Sequence, residues 1–128
     1  MAKILVVDDE PSILSLIRFL LERSGHSVSG ACDGQVALEV LGVEPENASA
    51  SLPDLVVLDV MMPILDGLAV AKAMSSHPRA CRVPIIIVTA KGDMRGLFEA
   101  MPQVAGFFLK PFDPKLLRET VARLTAPK

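Results

Sequence analysis

The chain has 128 residues and a formal net charge of −2, with 13 basic and 15 acidic side chains. That length suits one domain, residues 1–128, with a sizeable buried core. The two signs are interspersed, so no basic stripe points to direct nucleic-acid binding, and no apolar stretch reaches the roughly 18 residues of a membrane span. Met1-Ala2-Lys3 leads straight into a strand-like run without a secretory h-region, and a cytoplasmic location is expected. Cys32 and Cys81 lie in no metal-binding or redox spacing and are read as reduced residues.

Short runs rich in Val and Ile predict strands at residues 3–8, 27–31, 54–59, 84–89 and 106–110. The first helix opens on Pro11, carries an apolar arc of Ile13, Leu14, Leu16, Ile17, Leu20 and Leu21, and ends at Gly25. Phe19 falls outside that arc, either as a lone surface residue or as part of a docking patch. A second helix after Asp33-Gly34 turns Val36, Ala37, Val40 and Leu41 inward and stops at Gly42. Residues 43–53 are polar and unpatterned, a loop at the end of the sheet away from the acidic groups. Asp66 caps a third helix with Val70, Ala71, Ala73 and Met74 inside, closed by His77-Pro78. A fourth, over 93–101, is weakened by Gly96, and His26 and His77 read as solvated loop residues. The last has Asp113 as cap, Pro114 at its first position, and Leu116, Leu117, Thr120, Val121 and Leu124 inward. This alternation fits a flavodoxin-like α/β fold, an open five-stranded parallel sheet of order 2-1-3-4-5 with helices on both faces.

In that order four strands end on chemistry: the first on Asp8 and Asp9, the third on Asp59, the fourth on Thr89 and the last on Lys110. Open α/β sheets place their sites at this edge. Three carboxylates crowded together repel one another, and two or three of them with a backbone carbonyl make a credible Mg2+ site. Lys110 supplies a positive charge for a phosphate and Thr89 a hydroxyl that can bond it after arrival, so the constellation suits a divalent cation and a phosphoryl group.

Val6-Val7-Asp8-Asp9-Glu10-Pro11, Asp59-Val60-Met61-Met62-Pro63 with Asp66-Gly67, Thr89-Ala90, and Lys110-Pro111-Phe112 together resemble the receiver domain of two-component response regulators, in the family's order. The resemblance implies that Asp59 accepts a phosphoryl group from a histidine kinase or histidine phosphotransfer protein. It implies that Asp9, Asp59 and the Met61 carbonyl ligate Mg2+ (or Mn2+), with Asp8 acting largely through a water. Thr89 and Lys110 would complete the catalytic set with Asp59, and backbone at Met61 and Ala90 would contact the phosphate. Thr89 and Phe107 would form the switch for the face of helix 4, strand 5 and helix 5, and Lys110-Pro111 would be cis. Met61 and Lys91 would flank the phosphoryl group. The implied protein is a phosphorelay signalling domain, monomeric or weakly dimeric, that acts on a downstream protein target and is not a turnover enzyme. It is expected to stand alone, the alternative being a receiver excised from a longer regulator with a DNA-binding or enzymatic output. An Asp-nucleophile phosphatase is the remote reading, because Met61 stands where that chemistry wants a second acid.

Overall fold

The computed structural model describes residues 2–90 and 92–126, and Lys91 lies outside the described residues. Five parallel strands, β1 (Lys3–Val7), β2 (Ser27–Ala31), β3 (Leu55–Leu58), β4 (Ile85–Thr89) and β5 (Val104–Leu109), lie in the order 2-1-3-4-5. The helices are α1 (Pro11–Arg23), α2 (Gly34–Leu41), α3 (Gly67–Ser75), α4 (Arg95–Glu99) and α5 (Pro114–Thr125). Alternate residues of each strand point to opposite faces, which is why the central strands are apolar throughout. Leu5, Val7, Val56, Leu58, Ile85 and Ile87 pack under α2, α3 and α4, against Leu41, Val70, Met74 and Phe98. Ile4, Val6, Val57, Ile86 and Val88 pack under α1 and α5, against Ile17, Leu21, Leu117 and Val121.

Local chemistry sets the helix ends. The carboxylates of Asp33, Asp66 and Asp113 accept backbone N–H bonds from Val36, Ala69 and Lys115 at 2.9 Å, relieving otherwise unpaired donors of α2, α3 and α5. Gly42 closes α2 in the left-handed region.

Several expectations need correction. Strand β5 starts at Val104 rather than 106: Ile85 pairs with Val104 and Ile86 with Gly106, so Ala105 is a bulge that extends the strand without continuing the alternation. Val40 and Leu116 are exposed; on α2 Leu38 is buried where Val40 was expected, and Phe98 on α4 is buried as well. On these helices the covered arc is narrower than the apolar one, as it also is on α1, where Leu16 is exposed. His77 is buried and not solvated; its Nδ1 accepts the N–H groups of Arg79 and Ala80, and its Nε2 lies 2.8 Å from Glu46 Oε1. His26 is half-buried, accepting the Ala2 N–H at Nδ1. The 43–53 loop is correspondingly tied down, with Arg79 bonding the carbonyls of Asn47 and Ala50 and Lys3 bonding Ser51. Cys32 and Cys81 are free and exposed. Among the described residues no helix is long and apolar enough to cross a membrane.

Ile64 stands between β3 and α3 with φ of 70° and is 81% exposed. A β-branched side chain in the left-handed region costs about 1–2 kcal/mol, and this one is little buried in return. Ile64→Gly is therefore expected to raise the unfolding free energy by roughly 0.5–1 kcal/mol after the entropy of the freer glycine is counted, read as a higher urea midpoint. A lowered midpoint would show that the loop gains more from Ile64 than its backbone loses.

Candidate functional site

Strand pairing assembles the site. The Asp8 N–H donates to the Ala31 carbonyl at 3.1 Å and the Asp59 N–H to the Val7 carbonyl at 2.9 Å, so the carboxyl-bearing ends of β1 and β3 stand side by side. The Lys110 N–H donates to the Thr89 carbonyl at 2.9 Å, which joins the ends of β4 and β5 in the same way. The Lys110–Pro111 bond is cis, and Thr89 is fully buried. Behind Asp59 the chain needs a glycine. A Cβ on Gly67 would lie 2.2 Å from the Asp59 carbonyl oxygen, while the Gly67 N–H donates to the Val60 carbonyl and closes the loop below the carboxylate.

Carboxylate oxygens of Asp8, Asp9 and Asp59 lie within 4.8 Å of one another. Asp8 and Asp59 are only 2% and 3% exposed, so little water screens them. The Lys110 ammonium donates to Asp8 Oδ2 at 2.9 Å and to Glu10 Oε1 at 3.2 Å, and stands 3.6 Å from Asp59 Oδ2. Burial, then the Asp8 charge, push the Asp59 carboxyl up from 3.8 to about 6, against the opposing pull of Lys110 and the backbone N–H groups of Met61 and Val60. For Lys110, burial acts to lower the pKa, but the bond to Asp8 and the Asp59 and Asp8 charges outweigh it and the net direction is up.

One atom stands out. Asp59 Oδ1 is a buried carboxylate oxygen with no hydrogen-bond partner among the described residues. A buried anionic oxygen left so is costly, and it marks where a cation or an electrophile is accommodated. The donor set is all oxygen, which suits Mg2+ or Mn2+. The three acids are not equivalent. Both Asp8 oxygens are engaged, Oδ1 by the Glu10 N–H at 2.9 Å and Oδ2 by Lys110, which leaves Asp9 and Asp59 with the freer oxygens. Asp9→Ala is accordingly expected to weaken Mg2+ binding by tenfold or more and Asp8→Ala by less; calorimetric titration giving the reverse order would refute this division of labour.

Residues 4–122 match the model of the response regulator receiver domain. The chain belongs to this family. It is 41% identical over 131 residues to the alkaline phosphatase synthesis transcriptional regulatory protein PhoP of Bacillus subtilis, covering 97% of this chain and 47% of that protein. It is 34% identical to the response regulator PleD of Caulobacter vibrioides, covering 97% of this chain and 26% of that one. The chain thus spans about half the length, or less, of these curated relatives. Among solved structures, a response regulator from Chloroflexus aurantiacus matches with a TM-score of 0.83 at 28% identity, covering 98% of each chain. The chemotaxis response regulator CheY4 of Vibrio cholerae matches at 0.81 and 30% identity, covering 97% of this chain and 98% of that one.

Within this receiver domain Phe107 is half-buried on β5, its ring 6.3 Å from that of Phe98 and covered by the Arg95 guanidinium at 5.3 Å. Phe98 and Glu10 were not singled out by sequence reasoning. Phe98 sits on a helix too short to show a period, and Glu10 meets Lys110 across 100 residues of chain. Met61 is 54% exposed beside the acids.

Proposed function

We propose that this receiver takes a phosphoryl group at Asp59 from a histidine kinase or histidine phosphotransfer protein. The observation that carries the reading is the unpartnered, buried Asp59 Oδ1 beside two further carboxylates and a held ammonium. In the transfer, a bond forms from an Asp59 carboxylate oxygen to phosphorus. The bond from phosphorus to the donor atom breaks, and its electron pair leaves with the donor. Mg2+ held by Asp9, Asp59 and the Met61 carbonyl would supply the charge neutralisation that lets an anion approach an anion. Lys110 adds a fixed positive charge beside the acceptor, and backbone at Met61 and Ala90 would contact the phosphoryl oxygens. Thr89, fully buried at the end of β4, would bond the arrived group, and Phe107 would respond through Phe98 and Arg95 on the face of α4, β5 and α5. The domain stores a signal at one carboxylate and is not read as a turnover enzyme. The exposed thioether of Met61 cannot serve as the general acid of a phosphatase.

Whether residues 1–128 act alone or as part of a larger regulator separates two readings. The stand-alone reading draws support from CheY4, with which this chain aligns over 97% of its own length and 98% of that chain. A receiver serving a DNA-binding output draws support from PhoP of Bacillus subtilis, a transcriptional regulator about twice as long as this chain. Both share the chemistry at Asp59. Its test is intact-mass analysis after incubation with acetyl phosphate and Mg2+: one acid-labile phosphoryl group per chain is expected, and an unmodified mass would overturn the reading.

A further inference from the structure

Three of the four helices whose first residue follows an acidic N-cap are capped by Asp, and each Asp carboxylate accepts an N–H of its own helix. The fourth, α1, is preceded by Glu10, whose backbone is extended as an N-cap should be but whose side chain makes no cap bond. The next residue is Pro11, which has no N–H to satisfy. Glu10, one methylene longer than Asp, instead reaches Lys110 Nζ at 3.2 Å.

An ammonium has three N–H donors. In this resting arrangement two of the Lys110 donors are spent on Asp8 and Glu10, and Asp59 Oδ2 at 3.6 Å is an ion-pair contact just beyond hydrogen-bond length. The third donor remains, but the two bonds hold the nitrogen just out of reach of Asp59, and moving it to hydrogen-bond length from a group carried there stretches one of them. Releasing Asp8 would strand a carboxylate that is 2% exposed, which is expensive. The Glu10 side chain is 58% exposed, so water can take over its oxygen at little cost.

Resting on the reading of Asp59 above, we infer that Glu10 is a positioning residue for phosphoryl transfer. Its carboxylate holds the Lys110 ammonium on the Asp8 side of the site and restrains its movement to the incoming group. The hold depends on reach. Glu10→Ala removes it, and Glu10→Asp keeps the charge but is a methylene too short to bridge to Lys110. Because Glu10 caps nothing, neither substitution removes a cap from α1.

The test has two readouts. Without divalent cation or phosphodonor, the 15Nζ ammonium resonance of Lys110 is followed by NMR in wild type, Glu10→Ala and Glu10→Asp. The shift and the slowed hydrogen exchange of a doubly held ammonium are expected in wild type and are lost in both variants. With acetyl phosphate at fixed Mg2+, both variants are expected to be labelled about twofold to fivefold faster, the range available from a half-exposed ion pair. An unchanged Lys110 resonance, or rates equal to or below wild type, would overturn the role. Acceleration in Glu10→Ala alone would also overturn it, since that result requires only the removal of a negative charge. Absence of label in wild type would instead fail the reading of Asp59, and the Lys110 resonance would still report the contact itself.

Discussion

Asp59→Asn is expected to take up no phosphoryl group from acetyl phosphate and Mg2+, where wild type takes up one. A carboxamide is a poor nucleophile, and its oxygen carries no charge to neutralise on attack. Asp8 cannot substitute, since its oxygens are held by the Glu10 N–H and by Lys110. Asp9 has a freer carboxylate but is only partly buried at the rim of the cluster. Intact mass on the two proteins, followed by mild acid or hydroxylamine treatment to show an acyl phosphate, decides the matter. Equal labelling of the variant would move the acceptor away from Asp59.

The same substitution is expected to stabilise the fold, with a dependence on pH whose sign follows from burial. The Asp59 carboxyl is raised from 3.8 to about 6 in the folded protein, so between those values the native state holds a proton that the unfolded chain has released. Stability therefore falls as pH rises through this window and levels out above it, a loss of about 3 kcal/mol. Asn at this position does not titrate. Without divalent cation, Asp59→Asn should exceed wild type by about 2–3 kcal/mol at pH 7.5, and the gap should shrink towards zero below pH 4. Mg2+ should raise the wild-type melting temperature at pH 7.5 and move the variant much less, because the ion binds the native cluster and relieves its repulsion. Urea unfolding curves at several pH values check both statements. Parallel wild-type and variant curves across the range would show that Asp59 is not destabilised by its surroundings.

The parts of this structure that could be read from sequence are those with local causes. Runs such as Ile85-Ile86-Ile87-Val88 declare a strand covered on both faces, Asp33, Asp66 and Asp113 declare helix starts, and polar residues at four strand ends declare an edge site. What escaped was set by distant partners. His77 reads as a solvated histidine until Glu46, 31 residues away, and two backbone N–H groups are seen around it. Glu10 stands in the Asp8-Asp9-Glu10-Pro11 run with no role of its own until β5 brings Lys110 to it. The bulge at Ala105 breaks a period only in relation to β4, and Phe98 lies in a helix of five residues, too few for periodicity to appear.

That brevity has a thermodynamic consequence. A single turn with Gly96 inside it is far below the length at which a helix persists unaided, so α4 borrows its order from the core through one fully buried ring, Phe98. Phe98 in turn rests against Phe107, and Arg95 at the start of the same turn covers Phe107 from outside. The turn and the aromatic pair are thus expected to loosen and reform together as one small unit, at a free energy below that of the whole domain. A partner that binds this surface would be selecting among local populations of ordered and loosened turn, so the strength of the response would be graded by how tightly two phenylalanine rings hold each other.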